Sequence, residues 1–224
     1  MKVMVIGNGG REHAIIKKIK QSPLVNQIYA LPGNGGISKD ATCISINAKD
    51  IDKIVEFAVS EKIEFAIVAP DDPLVLGAVD RLEEVGIPCF GPRKNAAIIE
   101  GSKVFSKNLM KKYNIPTAEY EVFTNPEDAL KYLETAPLPT VIKADGLALG
   151  KGVIIANTLE EAKQAVKNIM EDKVFGASGS QIVIEEFLTG PEVSVLAFTD
   201  GKTVVPMISS MDHKRALDND TAAC

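Results

Sequence analysis

The sequence predicts an α/β protein built in two segments: a parallel, doubly wound sheet over residues 1–92, then an α+β unit with an antiparallel sheet over 93–224. Three observations lead there. Short apolar runs alternate with helical stretches through the first segment, which is the pattern of βαβ units and parallel strands. A glycine-rich turn, GNGGREH at 7–13, follows the first apolar run directly. Further along, a pair of β-prone runs, 140–143 and 153–156, brackets the loop ADGLALGKG, so neighbouring strands there are joined by a hairpin.

Taken in order, residues 2–6 form a buried strand, and 14–20 a helix behind the glycine turn. Strand, glycine turn and helix place backbone N–H groups and a positive dipole end where a phosphate can sit. The dinucleotide fingerprint GxGxxG fails at its third glycine, which is Glu12, and the next strand, 27–31, runs into Pro32 and Gly33 without an acid for a ribose hydroxyl. Arg11 points to a terminal phosphate, whose oxygens match a guanidinium fork. A purely structural turn is the other reading. Strand 42–46, helix 50–62, strand 64–69, helix 75–85 and a short strand at 89–90 follow. Gly9, Gly10, Arg11, Asn34 and Asp71 all fall at carboxyl ends of strands, where such sheets bind ligands. Asp71 reads equally as a helix N-cap, and His13 as a packing or capping residue.

Gly91 and Pro92 start a linker into 94–99. Ser102 is a good N-cap for a helix over 104–113, and Lys103 in the first turn is unfavourable with the helix dipole unless an anion is near. From 118 the chain reads strand, helix (126–135), strand, glycine loop, strand, helix (159–172), loop (176–180), strand. Lys143 and Lys151 add charge to a loop whose Gly146, Gly150 and Gly152 leave N–H groups free to turn toward an anion; a merely flexible turn is the alternative. The loop lacks the Ser or Thr of a Walker A motif. The run QIVIEEFL at 181–188 offers an edge for a purine, or else Glu185 and Glu186 are solvated edge-strand charges. Asp200 and Gly201 turn a hairpin between 192–200 and 202–208. A segment of mixed charge, 211–221, closes the chain and contains Asp212 and Lys214.

Composition narrows the class. Of 224 residues, 46% are hydrophobic and 25% charged, ordinary for a globular chain, and a net charge of −5 gives no basic footprint for nucleic acid. Cys43, Cys89 and Cys224 lack metal or disulfide spacing, His213 has no second histidine or cysteine nearby, and no apolar run reaches membrane length. A cytoplasmic chain acting on small molecules is expected, with no metal ligands of its own; the oligomeric state is not legible.

The segments VIGNGGREH (5–13), PGN (32–34), PDDPL (70–74), FGP (90–92), EGSK (100–103), IPT (115–117), KADGLALGKGV (143–153), IEEFL (184–188) and DHKR (212–215) occur in that order. With them the chain resembles the ATP-grasp superfamily, and within it the phosphoribosylamine–glycine ligase family. The resemblance implies a pre-ATP-grasp substrate domain at 1–92 and a partial ATP-grasp domain at 93–224, with a mobile lid over 118–190. It implies ATP, with Mg²⁺ or Mn²⁺, and ligation of glycine to 5-phosphoribosylamine through glycyl phosphate. By the same resemblance Lys103 and Lys143 contact ATP phosphates, and the loop with Gly146, Gly150, Lys151 and Gly152 covers them. Glu185, Glu186, Phe187 and Leu188 frame adenine, and Glu192 holds the ribose. Gly9, Gly10, Arg11 and Asn34 lie near the phosphoribosylamine, Asp71 faces its amine or ribose, and Asp212 and Lys214 join Lys143 at the glycine and acyl-phosphate region.

The chain departs from that pattern twice. Asp71 stands where the family has a longer glutamate. After Thr221 the family continues with a glycine-rich loop and a further half that carries its metal ligands, whereas here Ala222, Ala223 and Cys224 follow. The expectation is an N-terminal portion of such a ligase, inactive alone. A non-catalytic ATP-binding fragment or another ATP-grasp carboxylate–amine ligase are the alternatives.

Overall fold

The computed structural model describes residues 1–147 and 152–211. Its first sheet is wholly parallel, in the order β3-β2-β1-β4-β5, from β1 (Lys2–Gly7), β2 (Gln27–Pro32), β3 (Thr42–Cys43), β4 (Phe65–Val68) and β5 (Cys89–Phe90). Strand β1 shows why the pattern reads as continuous rather than alternating apolar residues. Met4 and Ile6 pack with Leu31, Ile54 and Leu82 on one face, while Val3 and Val5 pack with Ile16, Ile28 and Ile37 on the other. A parallel strand covered on both sides has no face for water. Each such fully buried side chain contributes about 1.5–3 kcal/mol relative to exposure.

Helices α2 (Ile51–Ser60) and α4 (Ala78–Glu84) cover the first face, and α1 (Gly10–Ile19) the second, so the sheet is doubly wound. The chain leaves β1 for β2 and later returns to its other side at β4. That reversal opens a crevice at the carboxyl ends of β1 and β4.

Several local expectations change. The helix predicted at 75–85 is two, α3 (Asp71–Leu76) and α4, because Gly77 turns left-handed at φ 93° between them. Pro70, not Asp71, holds the N-cap position, and Asp71 lies in the first turn. Strand β3 ends at Cys43, short of the predicted 46. The stretch 94–99 that the linker from Gly91 and Pro92 runs into is a helix, α5 (Lys94–Gly101).

Helix α6 (Lys103–Tyr113) follows, capped by Ser102, whose Oγ accepts the Phe105 N–H at 3.0 Å. The second sheet is antiparallel, in the order β6-β9-β7-β8, from β6 (Tyr120–Phe123), β7 (Thr140–Ala144), β8 (Val153–Ala156) and β9 (Ile182–Glu186). Helices α7 (Pro126–Leu133) and α8 (Leu159–Val166) cover one face against Ile142, Ala144, Ile182 and Ile184. Alternation therefore puts Val141, Lys143, Val183 and Glu185 on the opposite face. Strand β9 lies inside the sheet, between β6 and β7, which overturns the reading of 181–188 as an edge.

Residues Met1–Phe187 form one compact unit and Leu188–Cys224 a second. The described residues of the second hold a short antiparallel hairpin, β10 (Ala197–Thr199) and β11 (Val204–Pro206), whose turn is fixed by Asp200 accepting the N–H groups of Lys202 and Thr203.

Gly7 makes the first turn testable. At φ 128° it adopts a conformation that L side chains rarely take, and an added Cβ would lie 2.5 Å from Glu12 Cγ. Gly7→Ala is expected to cost about 1–3 kcal/mol, the usual range for forced overpacking. A chemical-denaturation midpoint equal to wild type, at unchanged slope, would contradict this account of the turn.

Candidate functional site

The first wall of the site is the β1–α1 turn. Glu12, 4% exposed, folds back so that its Oε2 accepts the Gly9 N–H at 2.5 Å. An added Cβ at Gly9 would meet that oxygen at 2.8 Å, so Gly7 and Gly9 both make room for Glu12. The residue that breaks the dinucleotide fingerprint is therefore the one that shapes the turn. Gly10 has nothing within 4 Å of an added Cβ and stays open. Asn34 ties the neighbouring loop to this turn: its Oδ1 accepts from Gly36 and Ile37 N–H at 2.7 and 2.9 Å, and its Nδ2 donates to the Asn8 carbonyl at 2.7 Å. His13 pairs with Asp40 at 2.9 Å, and that contact, with Lys20 behind it, holds the Asp40 carboxyl below its usual range.

Beside the turn lie Arg11 and Asp71, neither with an ion-pair or hydrogen-bond partner among the described residues, whereas Asp72 is tied to Lys49 at 2.8 Å. A cleft of about 470 Å³ runs from this pair to the second sheet, lined further by Glu100, Lys103, Lys107 and Lys143. The two sheets thus share one cavity, with a phosphate-type fork at one end and ammonium groups at the other.

At the lysine end the central charge is Glu185, 4% exposed, on β9. Its register partner on β7 is Val141, so Lys143 is the diagonal neighbour on the same face, within reach of a long side chain. Lys143 and Lys107 both ion-pair with this carboxylate. Lys107, 7% exposed, also donates to Thr117 Oγ1 at 2.7 Å and to the Ala118 carbonyl at 3.4 Å, and it lies 5.2 Å from the Tyr120 ring centroid. Burial pulls the Lys143 ammonium below its usual pKa, and the charges of Lys107 and Lys103 push it further. Lys103 is lowered by burial too, against the opposing charges of Asp145 and Glu100.

The hairpin between β7 and β8 is clasped to helix α6 at its root. Asp145 accepts from Ser102 Oγ at 3.1 and 3.2 Å and from the Val104 N–H at 3.2 Å, a carboxylate at a helix N-terminus where the dipole favours it. The Lys103 ammonium donates to the Gly146 carbonyl at 2.6 Å. Gly146 stands at φ 86°, with Ser178 Oγ where its Cβ would be.

Of the sequence-predicted residues, Arg11, Asp71, Lys103, Lys143, Gly146 and Gly152 line the cleft, and Glu185 sits behind Lys143. Glu186 is engaged with β6: its N–H donates to the Glu119 carbonyl and its Oε1 accepts the Glu119 N–H. Phe187 ends the first unit, while Leu188 and Glu192 belong to the second. Gly150, Lys151, Asp212 and Lys214 lie outside the described residues. Sequence reading missed Lys107 and Asp145. Lys107 lies one helical turn beyond Lys103, a spacing that puts both on one face and could have flagged it; Asp145 gave no such signal. Cys89, its thiol pushed up to about 12 by burial, is a packing residue. Among the described residues no group of three or more His, Cys, Asp or Glu side chains could cage a metal ion, so none of them is assigned as a ligand of Mg²⁺ or Mn²⁺. No helix among them is long and apolar enough to cross a membrane.

Comparison with known proteins gives the class. Residues 1–100 match the phosphoribosylglycinamide synthetase N domain, and 101–224 match the ATP-grasp (A) domain of the same synthetase. The chain is 51% identical over 220 residues to a phosphoribosylamine–glycine ligase of Halalkalibacterium halodurans, covering 98% of this chain and 51% of that protein. It is 51% identical over 223 residues to the same ligase of Escherichia coli K12, covering 99% and 52%. A crystal structure of the Thermotoga maritima ligase superposes with a TM-score of 0.82 at 32% identity, over 99% of this chain and 53% of that one. The class is therefore ATP-grasp, and the cleft lies between the parallel sheet and the antiparallel sheet. The chain belongs to the phosphoribosylglycinamide synthetase family, and it spans about half the length of the curated relatives it matches.

The clasp can be tested directly. Asp145→Ala removes a helix-terminal carboxylate and its three contacts, and is expected to cost about 1–2 kcal/mol. Denaturant unfolding of Asp145→Ala beside Ser102→Ala checks this; a midpoint at the wild-type value for Asp145→Ala would show that the clasp contributes nothing.

Proposed function

We propose that this chain supplies the nucleotide-phosphate and phosphoribosylamine-binding regions of an ATP-dependent ligase that joins glycine to 5-phosphoribosylamine. The products are glycinamide ribonucleotide, ADP and phosphate. The observation that supports this most is the single cleft that joins Arg11 and Asp71 to Lys103 and Lys143.

In this reading a glycine carboxylate oxygen attacks the γ-phosphorus of ATP, ADP leaves, and glycyl phosphate forms. The amine of phosphoribosylamine then attacks the carbonyl carbon, and phosphate leaves with the C–O electron pair. Lys103 and Lys143 bind phosphate oxygens as charge develops on them, and do so most strongly where water is thin. Arg11 holds the ribose phosphate by its fork. Asp71 accepts a hydrogen bond from the amine or a ribose hydroxyl. The backbone of Gly146 and Gly152 borders the phosphates and keeps water from the labile anhydride. A divalent ion, when bound, would neutralise and align the triphosphate. Adenine would lie by Glu186, Phe187 and Leu188, with Glu192 toward its ribose, and Asp212 and Lys214 would serve the glycine end. Gly150 and Lys151 would complete the cover in a lid spanning 118–190 of a domain starting at 93, and Gly9 and Asn34 would support the phosphoribosylamine turn in a domain of 1–92. A ligase of such metabolites belongs in the cytoplasm.

Two binding experiments and one assay test the reading. Lys143→Ala is expected to weaken ATP binding by about 1.5–3 kcal/mol, the scale of a hydrogen bond to a charged group; equal affinities by calorimetry would remove Lys143 from the site. Ribose 5-phosphate is expected to shift the Gly10 and Arg11 amide signals in NMR and to lose that effect in Arg11→Ala. A stronger response of the same amides to NADH would favour a dinucleotide site. Incubated alone with ATP, magnesium, glycine and fresh phosphoribosylamine, the 224-residue chain is expected to form no glycinamide ribonucleotide, because it spans half of its relatives. Steady product by mass spectrometry would refute that.

A further inference from the structure

The buried Lys107 has no role in the proposed ligation, yet it touches the same carboxylate as Lys143. An ammonium has three donors, and those of Lys107 meet Thr117 Oγ1, the Ala118 carbonyl and Glu185. It has none left for a ligand. Lys143 lines the same cleft but is placed differently: its side chain is 29% exposed against 9% for Lys107, and Glu185 is its one ion-pair partner among the described residues.

Two ammonium groups against one carboxylate leave this triad a single net positive charge, and geometry decides where it is available. Both lysines line the cleft, but the three donors of Lys107 are taken by Thr117, Ala118 and Glu185, whereas Lys143 is the more exposed and has Glu185 as its one ion-pair partner among the described residues. We propose that Lys107 is a positioning residue: by taking up the charge of Glu185 from behind, it leaves the Lys143 ammonium free to meet an incoming polyphosphate oxygen. Without Lys107, Glu185 and Lys143 close into a neutral pair and the cleft loses the charge that its ligand needs. The other charged groups facing Lys143 are Lys103 from α6, which adds to the field, and Glu185 itself from β9. The inference rests on the cleft's being a polyphosphate site, as in the proposed function.

The test compares four full-length proteins: wild type, Lys107→Met, Glu185→Gln and the double variant. In this scheme the triad carries one net positive charge in wild type, none in Lys107→Met, two in Glu185→Gln and one again in the double variant. The first readout is the titration midpoint of Lys143, followed by NMR of ¹³Cε-labelled lysine and assigned with Lys143→Arg. It is expected to rise in Lys107→Met, fall in Glu185→Gln and return near wild type in the double variant. An unmoved midpoint would overturn the coupling, and this readout needs no ligand. The second readout is affinity for ATP and for inorganic tripolyphosphate. One charge at the cleft wall changes it about tenfold, so Glu185→Gln binds tightest, wild type and the double variant follow together, and Lys107→Met binds weakest. A double variant as weak as Lys107→Met or weaker would show a packing role only and overturn the proposal. If Lys107→Met does not fold, the double variant is judged against wild type, and an affinity clearly below wild type overturns the proposal. Wild type that binds neither probe would sink the polyphosphate reading itself, whereas the midpoints judge the triad alone.

Discussion

One buried carboxylate organises the second half of this molecule. Glu185 is almost wholly withdrawn from water, and a bare charge there would be far too costly to keep. It persists because helix α6 and strand β7 each deliver an ammonium to it. The constraint runs outward from there. α6 must lie across β9 for Lys107 to reach, β7 must pair with β9 in the observed register for Lys143 to be diagonal to Glu185, and β9 must be an inner strand for both to hold. Replacing such a cluster with apolar side chains often leaves stability unchanged or raises it. The proposed anion site would give this chain a use for the charge that stability alone does not.

The architecture was legible because it follows from period and punctuation. Continuous apolar strands, alternating helices and the hairpin around GLALGKG gave a doubly wound sheet followed by an antiparallel one, and both are present. Boundaries went wrong where a local residue outweighed the pattern, as at Gly77, whose left-handed turn splits one predicted helix. In the cleft, Arg11, Asp71, Lys103 and Lys143 were readable as charged groups at strand ends, at a helix start and in a glycine-loop motif, where apolar packing does not explain them.

What was not legible depends on contacts between residues far apart in the chain. Both readings of Glu185, as part of a purine-binding edge or as a solvated charge, took β9 for an edge strand, because the sequence does not say that β6 returns to flank it. Lys107 drew no reading at all, since the acid it pairs with lies on β9, far along the chain. Asp145 carried no signal because its partners are the cap and first turn of a helix far earlier in the chain. Glu12 read as a broken motif, when its side chain takes the Gly9 N–H and fills the space that Gly7 and Gly9 leave.

If the cleft binds a polyphosphate as proposed, the Lys103–Gly146 contact makes that binding an exchange and not a simple addition. The lysine already has an oxygen partner, the Gly146 backbone carbonyl. An arriving phosphate oxygen must evict that partner, so its gain is the difference between a charged acceptor and a neutral one. The evicted carbonyl belongs to the root of the glycine hairpin, which then loses one of its ties to α6 while Asp145 keeps the other. In the proposed function, an anion on Lys103 would therefore loosen the root of the hairpin at Gly146 as it bound.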